Sequence, residues 1–519
     1  MAQLGKLVRD YEIWGLLGQG GMSEVYLAKH RVLAIPVILK TLRDPAANKD
    51  GSAPSLNPTT GGIHDDAAIE RVLHEARVMA KIPDPRVVRA IDAGVHEGAP
   101  YLVQEYVDGI DLEELDKRRR EALGVGLPLW FICHVMHEVC AALHSAHQTG
   151  VIHRDVKPSN IFGAPETGVR LGDFGIAIAR SDDATPNVSG TLGYMAPEQL
   201  RGEATTRATD VFGAAATAFA LRYGRYPFRT VGEALDLGTR PLFATPQNPV
   251  VGYFQRLLED MLLKDPARRP ANASACAHHF AMISKSMRSG ARDSQLVTID
   301  AHTLRLGGVL VKMYAGDISK SSTDAIVCSA NYEMKMRSGV GDALRKRGGD
   351  CIEEEAMKDG EHPLGSCVAT GPGSLPVKSI LHAVGAWNEA SCIGRAAQRV
   401  FLLADELGIK TIAIPALGTG IARVSLERCA NAMMTALKWH VLLGGSRLEE
   451  VHVVLENEAK LKVFQQVAEE ALRGEDDAPE LVDLGLPVTD VIVRGDSSTH
   501  IDIGLLASAT SPSRTRSAG

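Results

Sequence analysis

The sequence predicts a multidomain protein in which a bilobal α+β region precedes an α/β layered region. Three observations lead to this prediction. The length of 519 residues suits two large domains with linkers. The front part opens with strand-like runs and continues mainly with helical patterns. The rear part alternates short apolar strands with amphipathic helices, and that alternation is typical of a layered sheet.

The individual elements are predicted from residue type and spacing. The front part has strand-like runs at 25–28, 37–41 and 101–105, and a long helical pattern at 129–147. A helix between the second and third runs is indicated by apolar residues at a 3.6-residue period, namely Ile69, Val72, Leu73, Ala76 and Met79. The rear part has predicted strands at 325–328, 380–384, 412–415 and 451–455.

Changes in composition set the predicted boundaries. A stretch rich in Ser, Arg and Asp separates the two regions, and the end of the chain is rich in acidic residues, Ser and Thr. We therefore predict an N-lobe at 11–105 and a C-lobe at 108–283 within a first domain at 11–283, a linker at 284–302, a second domain at 303–474 and a disordered tail at 475–519.

Composition and charge exclude several classes of protein. The net charge of -7 argues against a nucleic-acid binder, because no basic stripe is present to face phosphates. The eight cysteines form no C-x-x-C pair, so a zinc site has no support and reduced thiols are expected. The N-terminus lacks the apolar core of a signal peptide, and the most apolar stretch, 211–221, is too short to cross a bilayer. We therefore expect a cytoplasmic protein without a membrane partner.

A glycine-rich segment lies at a predicted strand turn near the start of the first domain. Glycines allow backbone amides to approach a polyphosphate closely, although such loops also occur in ordinary β-turns. The segment and its apolar flanks comprise Leu17, Gly18, Gln19, Gly20, Gly21, Met22, Ser23 and Val25.

Lys40 lies inside an apolar strand, where a buried ammonium group needs a partner. Glu75, on the predicted helix, is the best candidate. Together they would hold the α- and β-phosphates of a nucleotide through Lys40. The alternative is a lysine at a strand edge that extends its ammonium group to solvent.

A short polar run supplies further candidate residues. Asp155 is suited to accept a proton from an attacking hydroxyl, and Lys157 to steady a phosphoryl group in transfer. Asn160 and Asp173, the latter eighteen positions after Asp155, offer oxygen ligands to Mg²⁺.

The ordered set of motifs resembles the bacterial Ser/Thr branch of the eukaryotic-like protein kinase family over nearly all of the first domain. The resemblance implies a kinase fold that uses ATP and Mg²⁺ to phosphorylate protein Ser and Thr hydroxyls. It makes Asp155 the catalytic base and Lys40 and Glu75 a strand–helix ion pair. It also implies that the backbone of Glu105 and Val107 hydrogen-bonds adenine.

The kinase resemblance implies supporting roles as well. Gln104 would guard the back of the adenine pocket, and Glu198 would pair with Arg269 inside the helical lobe. Arg154 would pair with a phosphorylated activation segment. The preferred phosphosites in that segment are Thr185 and Ser189.

Two residues depart from the kinase pattern. Ser23 replaces the third glycine of the phosphate loop, and little harm is expected because serine is small. Ile38 replaces the small residue that roofs adenine and would narrow the pocket. The sequence therefore leaves a weakly active or inactive nucleotide-binding scaffold as the alternative to an active kinase.

Loops that follow predicted strands carry the candidate site of the second domain. Glycine loops that lead from strands into helices form anion cradles, and they meet at the carboxyl edge of a parallel sheet. The alternative is a set of tight turns in a structural layer. The residues are Asp317, Ile318, Asn331, Gly339, Val340, Gly418, Thr419, Gly420 and Ile421.

These loops resemble the macro domain family, which implies an α/β/α three-layer fold that binds ADP-ribose. By position, Asp317 would contact adenine and Asn331 the distal ribose, with phosphate loops at 339–341 and 418–421. His382 is interpreted as a structural strand residue. Asp342 lies one position after the place where hydrolytic members have an acid, so we favour binding and keep ADP-ribosyl hydrolysis as the alternative.

The two resemblances together imply the partners. Protein substrates are expected for the first domain, and ADP-ribose or ADP-ribosylated proteins for the second. The sequence leaves the protein substrates, the contact between domains and the oligomeric state open.

Overall fold

The computed structural model describes residues 6–19, 23–42, 66–164, 167–174, 191–288, 296–387 and 390–473. Within these ranges, no helix is both long and apolar enough to span a bilayer. The tail predicted at 475–519 and the phosphosites predicted at Thr185 and Ser189 lie outside the described residues.

The N-terminal lobe is an antiparallel sheet of six strands with one helix packed on it. The sheet order is β1-β2-β3-β4-β6-β5. Alternate residues of the fourth strand are buried, which is the period-2 pattern of a strand with one covered face. The elements are β1 (Leu7–Val8), β2 (Tyr11–Gln19), β3 (Ser23–His30), β4 (Pro36–Leu42), α1 (Asp66–Met79), β5 (Ala90–His96) and β6 (Ala99–Glu105).

The C-terminal lobe of the first domain is mainly helical. Its core is built around α3 and α5, whose inward faces are almost entirely buried. A small sheet of order β7-β8-β9 lies beside the candidate catalytic loop. The elements are β7 (Ile110–Asp111), α2 (Leu112–Leu123), α3 (Leu129–Gln148), β8 (Ile161–Ala164), β9 (Gly168–Leu171), α4 (Pro197–Leu200), α5 (Arg207–Tyr223), α6 (Val231–Leu235), α7 (Pro249–Met261) and α8 (Ala273–Arg288).

The second domain is an eight-stranded mixed sheet of order β10-β11-β12-β19-β18-β13-β15-β14. The five strands from β12 to β15 in this order are parallel, and the outer strands are antiparallel. Its strands are β10 (Leu296–Asp300), β11 (Thr303–Leu306), β12 (Val309–Ala315), β13 (Ala325–Ser329), β14 (Cys367–Thr370), β15 (Ser379–Ala383), β18 (Thr411–Pro415) and β19 (Glu450–Leu455), with a separate hairpin of β16 (Ala386–Trp387) and β17 (Ala390–Ser391).

Helices cover both faces of this sheet. Along β13, Ala325 and Val327 belong to one apolar core, whereas Ile326 and Cys328 belong to another. Successive side chains of a strand point to opposite faces, so the sheet lies between two helical layers, as the sequence predicts. The helices are α9 (Gly339–Gly348), α10 (Cys351–Ala356), α11 (Ile393–Glu406), α12 (Leu426–Leu442) and α13 (Glu458–Arg473).

Regular structure extends into both ends of the segment that the sequence predicts as a linker. Ser284 lies within α8, and its hydroxyl donates to the carbonyl oxygen of Trp130 at 2.8 Å. At the other end, β10 pairs with β11, with Leu296 opposite Leu306. The polar composition predicts a loop, but composition does not show that residues 296–300 can pair with β11 as an edge strand in which only Leu296 is partly buried.

The two domains share buried apolar surface. The main core of the C-terminal lobe includes Leu402 and Leu443 of the second domain. The rings of Phe131 and Trp439 meet edge to face, with their centroids 5.5 Å apart. The second domain therefore packs directly on the first.

Candidate functional site

The polar run after α3 brings three of the sequence-predicted residues together. The ammonium of Lys157 lies 2.7 Å from a carboxylate oxygen of Asp155. The amide nitrogen of Asn160 donates to the same carboxylate at 3.0 Å and to the Asp155 carbonyl at 2.7 Å. Asn160 is only 4% exposed, so its amide is held in a fixed orientation.

A buried carboxylate on α5 holds this loop in place. Asp210 accepts hydrogen bonds from the backbone N–H groups of His153 at 2.8 Å and Arg154 at 2.7 Å. Arg154 has a φ of 69°, a conformation that a non-glycine residue keeps only when its surroundings enforce it. Its guanidinium donates to the hydroxyl of Thr205.

Asp173 reaches the same cleft from the end of β9. Its φ of 54° is also in the left-handed region, and the ring of the next residue, Phe174, lies 4.4 Å from that of His153. Partial burial opposes ionisation of Asp173, whose side chain is 42% exposed, but the charge and hydrogen bond of Lys40 outweigh it and lower the pKa of the carboxyl group. The charge of Lys157 adds a smaller lowering, and the N–H of Gly172, next to Asp173, donates to the carbonyl oxygen of Asn160 at 2.8 Å, which joins the two loops.

The predicted ion pair between Lys40 and Glu75 is not the one that the structure contains. Lys40 is hydrogen-bonded to Asp173 instead. Burial raises the pKa of Glu75 to about 7, against the attraction of Lys40, and Asp173 raises it further. In this arrangement burial disfavours the ionised form of Glu75, whereas the charge and hydrogen bond of Lys40 favour the ionised form of Asp173.

Most of the residues predicted to hold the adenine and phosphates lie on strands of the N-terminal sheet. Gly18 and Gln19 end β2 opposite Val25 and Glu24 of β3, and residues 20–22 lie outside the described residues. Leu17 and Ile38 are half-buried and pack on one apolar cluster.

The other predicted residues of this site have defined contacts. The buried amide of Gln104 donates to the sulfur of Met79, which places the Gln104 side chain next to α1. Glu105 ends β6, and its side chain binds the guanidinium of Arg89. The carbonyl of Val107 accepts from the N–H of Gly109.

The ion pair predicted inside the helical lobe is present. Arg269 binds both carboxylate oxygens of Glu198, at 2.7 and 2.8 Å, and both side chains are almost fully buried. The pair joins α4 to the turn before α8. Its depth indicates a structural role rather than contact with substrate.

The loops predicted for the second site meet at the carboxyl ends of β12, β13 and β18. Asp317 follows β12 and accepts from the N–H and hydroxyl of Ser319, and these hydrogen bonds lower the pKa of its carboxyl group. The next residue, Ile318, is buried. Asn331 follows β13, and its amide closes a turn with the backbone of Lys335 at 3.1 and 3.4 Å.

The two predicted phosphate loops are tightly built. Gly339 and Gly418 have φ values of 52° and 72°, and a Cβ at Gly418 would lie 2.7 Å from that of Ala386. The N–H of Gly418 donates to the hydroxyl of Ser329, which ties the second loop to β13. The remaining predicted residues are the half-buried Val340, Thr419, whose hydroxyl donates to the Ala416 carbonyl, Gly420, and Ile421, which is 79% exposed.

Sequence reasoning missed the role of Glu353. Its carboxylate accepts from the N–H of Met336 at 2.9 Å and from the guanidinium of Arg337 at 3.0 Å, so it orders the loop that leads to Gly339. The signal was an acidic run in the sequence, but nothing in the spacing indicates which carboxylate turns inward. His382 is fully buried and bonded to Thr370, and burial lowers its pKa to about 4, as suits a structural residue.

Comparison with known proteins supports both resemblances. The Protein kinase domain family matches residues 11–281, and the Macro domain family matches residues 327–433. The serine/threonine-protein kinase pkn3 of Myxococcus xanthus is 30% identical over 306 residues, which are 55% of this chain and 52% of that protein. The serine/threonine-protein kinase PrkC of Bacillus subtilis is 32% identical over 282 residues, 51% of this chain and 39% of that protein.

The chain thus spans about half of the first relative's length and less of the second's. The crystal structure of the Mycobacterium tuberculosis PknI kinase domain covers 55% of this chain and all of that domain, with 25% identity and a TM-score of 0.43. The protein kinase match by itself extends over more than half of the 519 residues. The chain belongs to the protein kinase family, with a macro domain following its kinase domain.

Proposed function

We propose that the chain is a protein serine/threonine kinase that transfers the γ-phosphoryl group of ATP to protein hydroxyls. The observation that carries this proposal is the pair of bonds between the two loops: His153 Nε2 lies 2.9 Å from the carbonyl oxygen of Gly172, and the N–H of Gly172 donates to the carbonyl oxygen of Asn160 at 2.8 Å. These bonds hold the loop of the candidate base, Asp155, beside that of the candidate metal ligand, Asp173. Phosphoryl transfer depends mainly on such positioning and charge neutralisation.

The donor set fits magnesium. Asn160 uses its amide nitrogen on Asp155, so its oxygen is turned away from that carboxylate, and Asp173 presents a side chain that is 42% exposed. Hard oxygen ligands of this kind are the ones that Mg²⁺ takes in phosphoryl-transfer sites. When bound, the ion would neutralise charge on the phosphate oxygens.

Each protein group then has a defined task. Asp155 accepts the proton of the attacking hydroxyl, and the nearby Lys157 offsets negative charge on the group in transfer. The amide of Asn160 fixes the orientation of the Asp155 carboxylate. Lys40 would hold phosphate oxygens once its ammonium leaves Asp173.

Autophosphorylation with radiolabelled ATP and Mg²⁺ tests the proposal. Asp155→Asn and Asp173→Asn should each reduce incorporation by at least about 100-fold, since each removes a base or a metal ligand. Asp359→Asn changes an exposed carboxylate of the second domain and should leave the rate unchanged. Label that persists in both cleft variants would indicate a contaminating kinase.

A nucleotide-binding scaffold is the second candidate, because Lys40 is paired with Asp173 rather than Glu75 and Ile38 narrows the adenine side. Such a protein would bind ATP with Mg²⁺ in calorimetry but would incorporate no label above the Asp155→Asn variant. The same pair of measurements therefore separates the two candidates.

For the second domain we propose binding of ADP-ribose, free or attached to proteins. The supporting observation is the convergence of Asp317, Asn331 and the two glycine loops at one sheet edge. Hydrolysis is less favoured, because Asp342 is engaged by Arg345 and Lys346 on its own helix.

Calorimetric titration with ADP-ribose tests this second proposal. Asp317→Ala should weaken binding by roughly tenfold or more, the value of a lost hydrogen bond to a charged group. Asp359→Asn again serves as the matched control. The absence of heat at millimolar ADP-ribose for the native chain would contradict the proposal.

A further inference from the structure

The second domain contacts the C-terminal lobe of the kinase through paired charges. Arg399 binds both carboxylate oxygens of Glu114 at 2.8 Å, and Arg118 binds Glu406 at 2.5 and 3.1 Å. Bidentate pairs of this kind fix orientation as well as distance. The macro domain is therefore held in a defined position on this lobe.

The same domain is bonded to the segment that connects the two kinase lobes, residues 106–109. The carboxylate of Asp108 accepts from the backbone N–H groups of Gly394 and Arg395, both at 2.9 Å. These N–H groups belong to the first turn of α11 and have no partner within the helix, and its own N-cap residue, Cys392, makes no side-chain cap bond. A residue of the kinase thus caps a helix of the macro domain.

Contact extends to the N-terminal lobe. Trp14 and Leu27 share one apolar cluster with Met334 of the macro domain, and all three are buried. A Cβ at Gly15 would lie only 3.2 Å from that of Pro363. Strand β2, which leads into the glycine-rich loop, therefore lies directly against the second domain.

One folded domain consequently touches both lobes and the segment between them. Kinases open and close by rotation of the lobes about such a segment, and nucleotide exchange requires opening. We propose that the docked macro domain is a clamp that restricts lobe opening and slows nucleotide exchange, and that occupation of its ligand loops releases the clamp.

The release step follows from the loop between β13 and α9. Asn331, the candidate ribose contact, closes a turn with Lys335, and Met334 inside that turn has a φ of 58° and is fully buried at the interface. A ligand that engages the Asn331 amide removes its two bonds to Lys335 and leaves the turn held by the backbone bond from the Met334 N–H to the Asn331 carbonyl oxygen. Met334 then leaves Trp14 and Leu27 more easily, so ligand binding and docking oppose each other. This half of the inference rests on the proposed binding of ADP-ribose.

The test uses the full chain and a fluorescent ADP derivative whose dissociation is followed by stopped flow. Gly15→Leu places a side chain against Pro363, and Asp108→Ala removes the cap, so each should speed dissociation by about fivefold or more. Glu113→Ala, next to Glu114 but exposed, is the matched control and should match the native chain. ADP-ribose should increase the rate at which the ADP derivative dissociates from the native chain. It should increase that rate only slightly in Gly15→Leu, in which docking is already weakened.

Hydrogen exchange at β2 and α11 gives an independent measure of docking. The clamp is contradicted if both variants show faster hydrogen exchange at β2 and α11 but unchanged ADP dissociation. It is also contradicted if neither variant shows faster hydrogen exchange. If ADP-ribose gives no calorimetric heat, both the proposed ligand and the release step are contradicted. The ADP dissociation rates of Gly15→Leu and Asp108→Ala still test whether the docked macro domain restricts lobe opening. ADP-ribose that binds without changing ADP dissociation overturns the release step alone.

Discussion

At the scale of single residues, the catalytic loop is predictable from sequence because its members are close in the chain. Asp155, Lys157 and Asn160 lie within six residues, so local backbone geometry brings them together. The partner of Lys40 is different. Whether it is Glu75 or Asp173 depends on burial that only the packed structure determines, and spacing carries no such information.

The raised pKa of Glu75 gives a pH prediction. Its carboxyl group titrates at about 7 in the folded chain, above its ordinary value, because burial disfavours the charged form. Raising the pH through 7 ionises Glu75, so the Lys40–Glu75 pair becomes competitive and kcat/KM for phosphorylation should rise. The rise should be absent in Glu75→Gln when initial rates are measured from pH 6 to 8.

Stability should change in the opposite direction. Folding raises the pKa of the Glu75 carboxyl group, so this group stabilises the folded state fully at pH values below its ordinary pKa. That contribution to the free energy of unfolding is lost as the pH rises through 7. Glu75→Gln should therefore weaken the pH dependence of the denaturation midpoint in this range. An identical dependence in both proteins would show that Glu75 is not the titrating group.

At the scale of elements, strands and helices with a clear period were predicted well, whereas pairings between distant elements were not. The alternation along β13 and the helical period of α1 are local signals. The hydrogen bond from the start of α11 to Asp108 joins residues more than 280 positions apart. Nothing in the sequence around an aspartate in a connecting segment indicates so distant a partner. The resemblance to kinases identified the Glu198–Arg269 pair where periodicity did not.

The buried pair between α4 and the turn before α8 should matter for folding. Glu198→Ala leaves the guanidinium of Arg269 buried without its carboxylate and should lower the free energy of unfolding by about 3–5 kcal/mol. The pair of Glu203 and Arg201 is exposed and 3.7 Å apart, so Glu203→Ala should cost at most about 1 kcal/mol. Urea denaturation followed by circular dichroism measures both, and similar losses would contradict the structural role.

At the scale of the whole molecule, the sequence predicts two domains but not their contact. The interface is made of ordinary apolar and charged residues that lack a shared period, such as Trp14, Leu27 and Glu114. Whether such a residue lies in the interface depends on which surface of the first domain the second domain covers. Composition therefore gives the number of domains and no information about their arrangement.

Removal of the second domain should lower the stability of the kinase domain. A protein of residues 6–288 would expose Trp14, Leu27 and Phe131 and leave Asp108 without its helix. We expect a lower Tm for this piece than for the kinase transition of the full chain, together with stronger binding of a hydrophobic dye. An equal Tm and no dye binding would show that the contact contributes little to stability.

Arg119 gives the docked arrangement a further property. Its side chain is 1% exposed and donates only to the carbonyls of Leu443 and Gly444, with no carboxylate in ion-pair range among the described residues. Burial lowers the pKa of the Arg119 guanidinium, because its remaining interactions do not fully compensate for the loss of hydration. Because separation of the two domains returns this guanidinium to water, Arg119 lowers the cost of undocking, and Arg119→Leu should strengthen the contact between the domains.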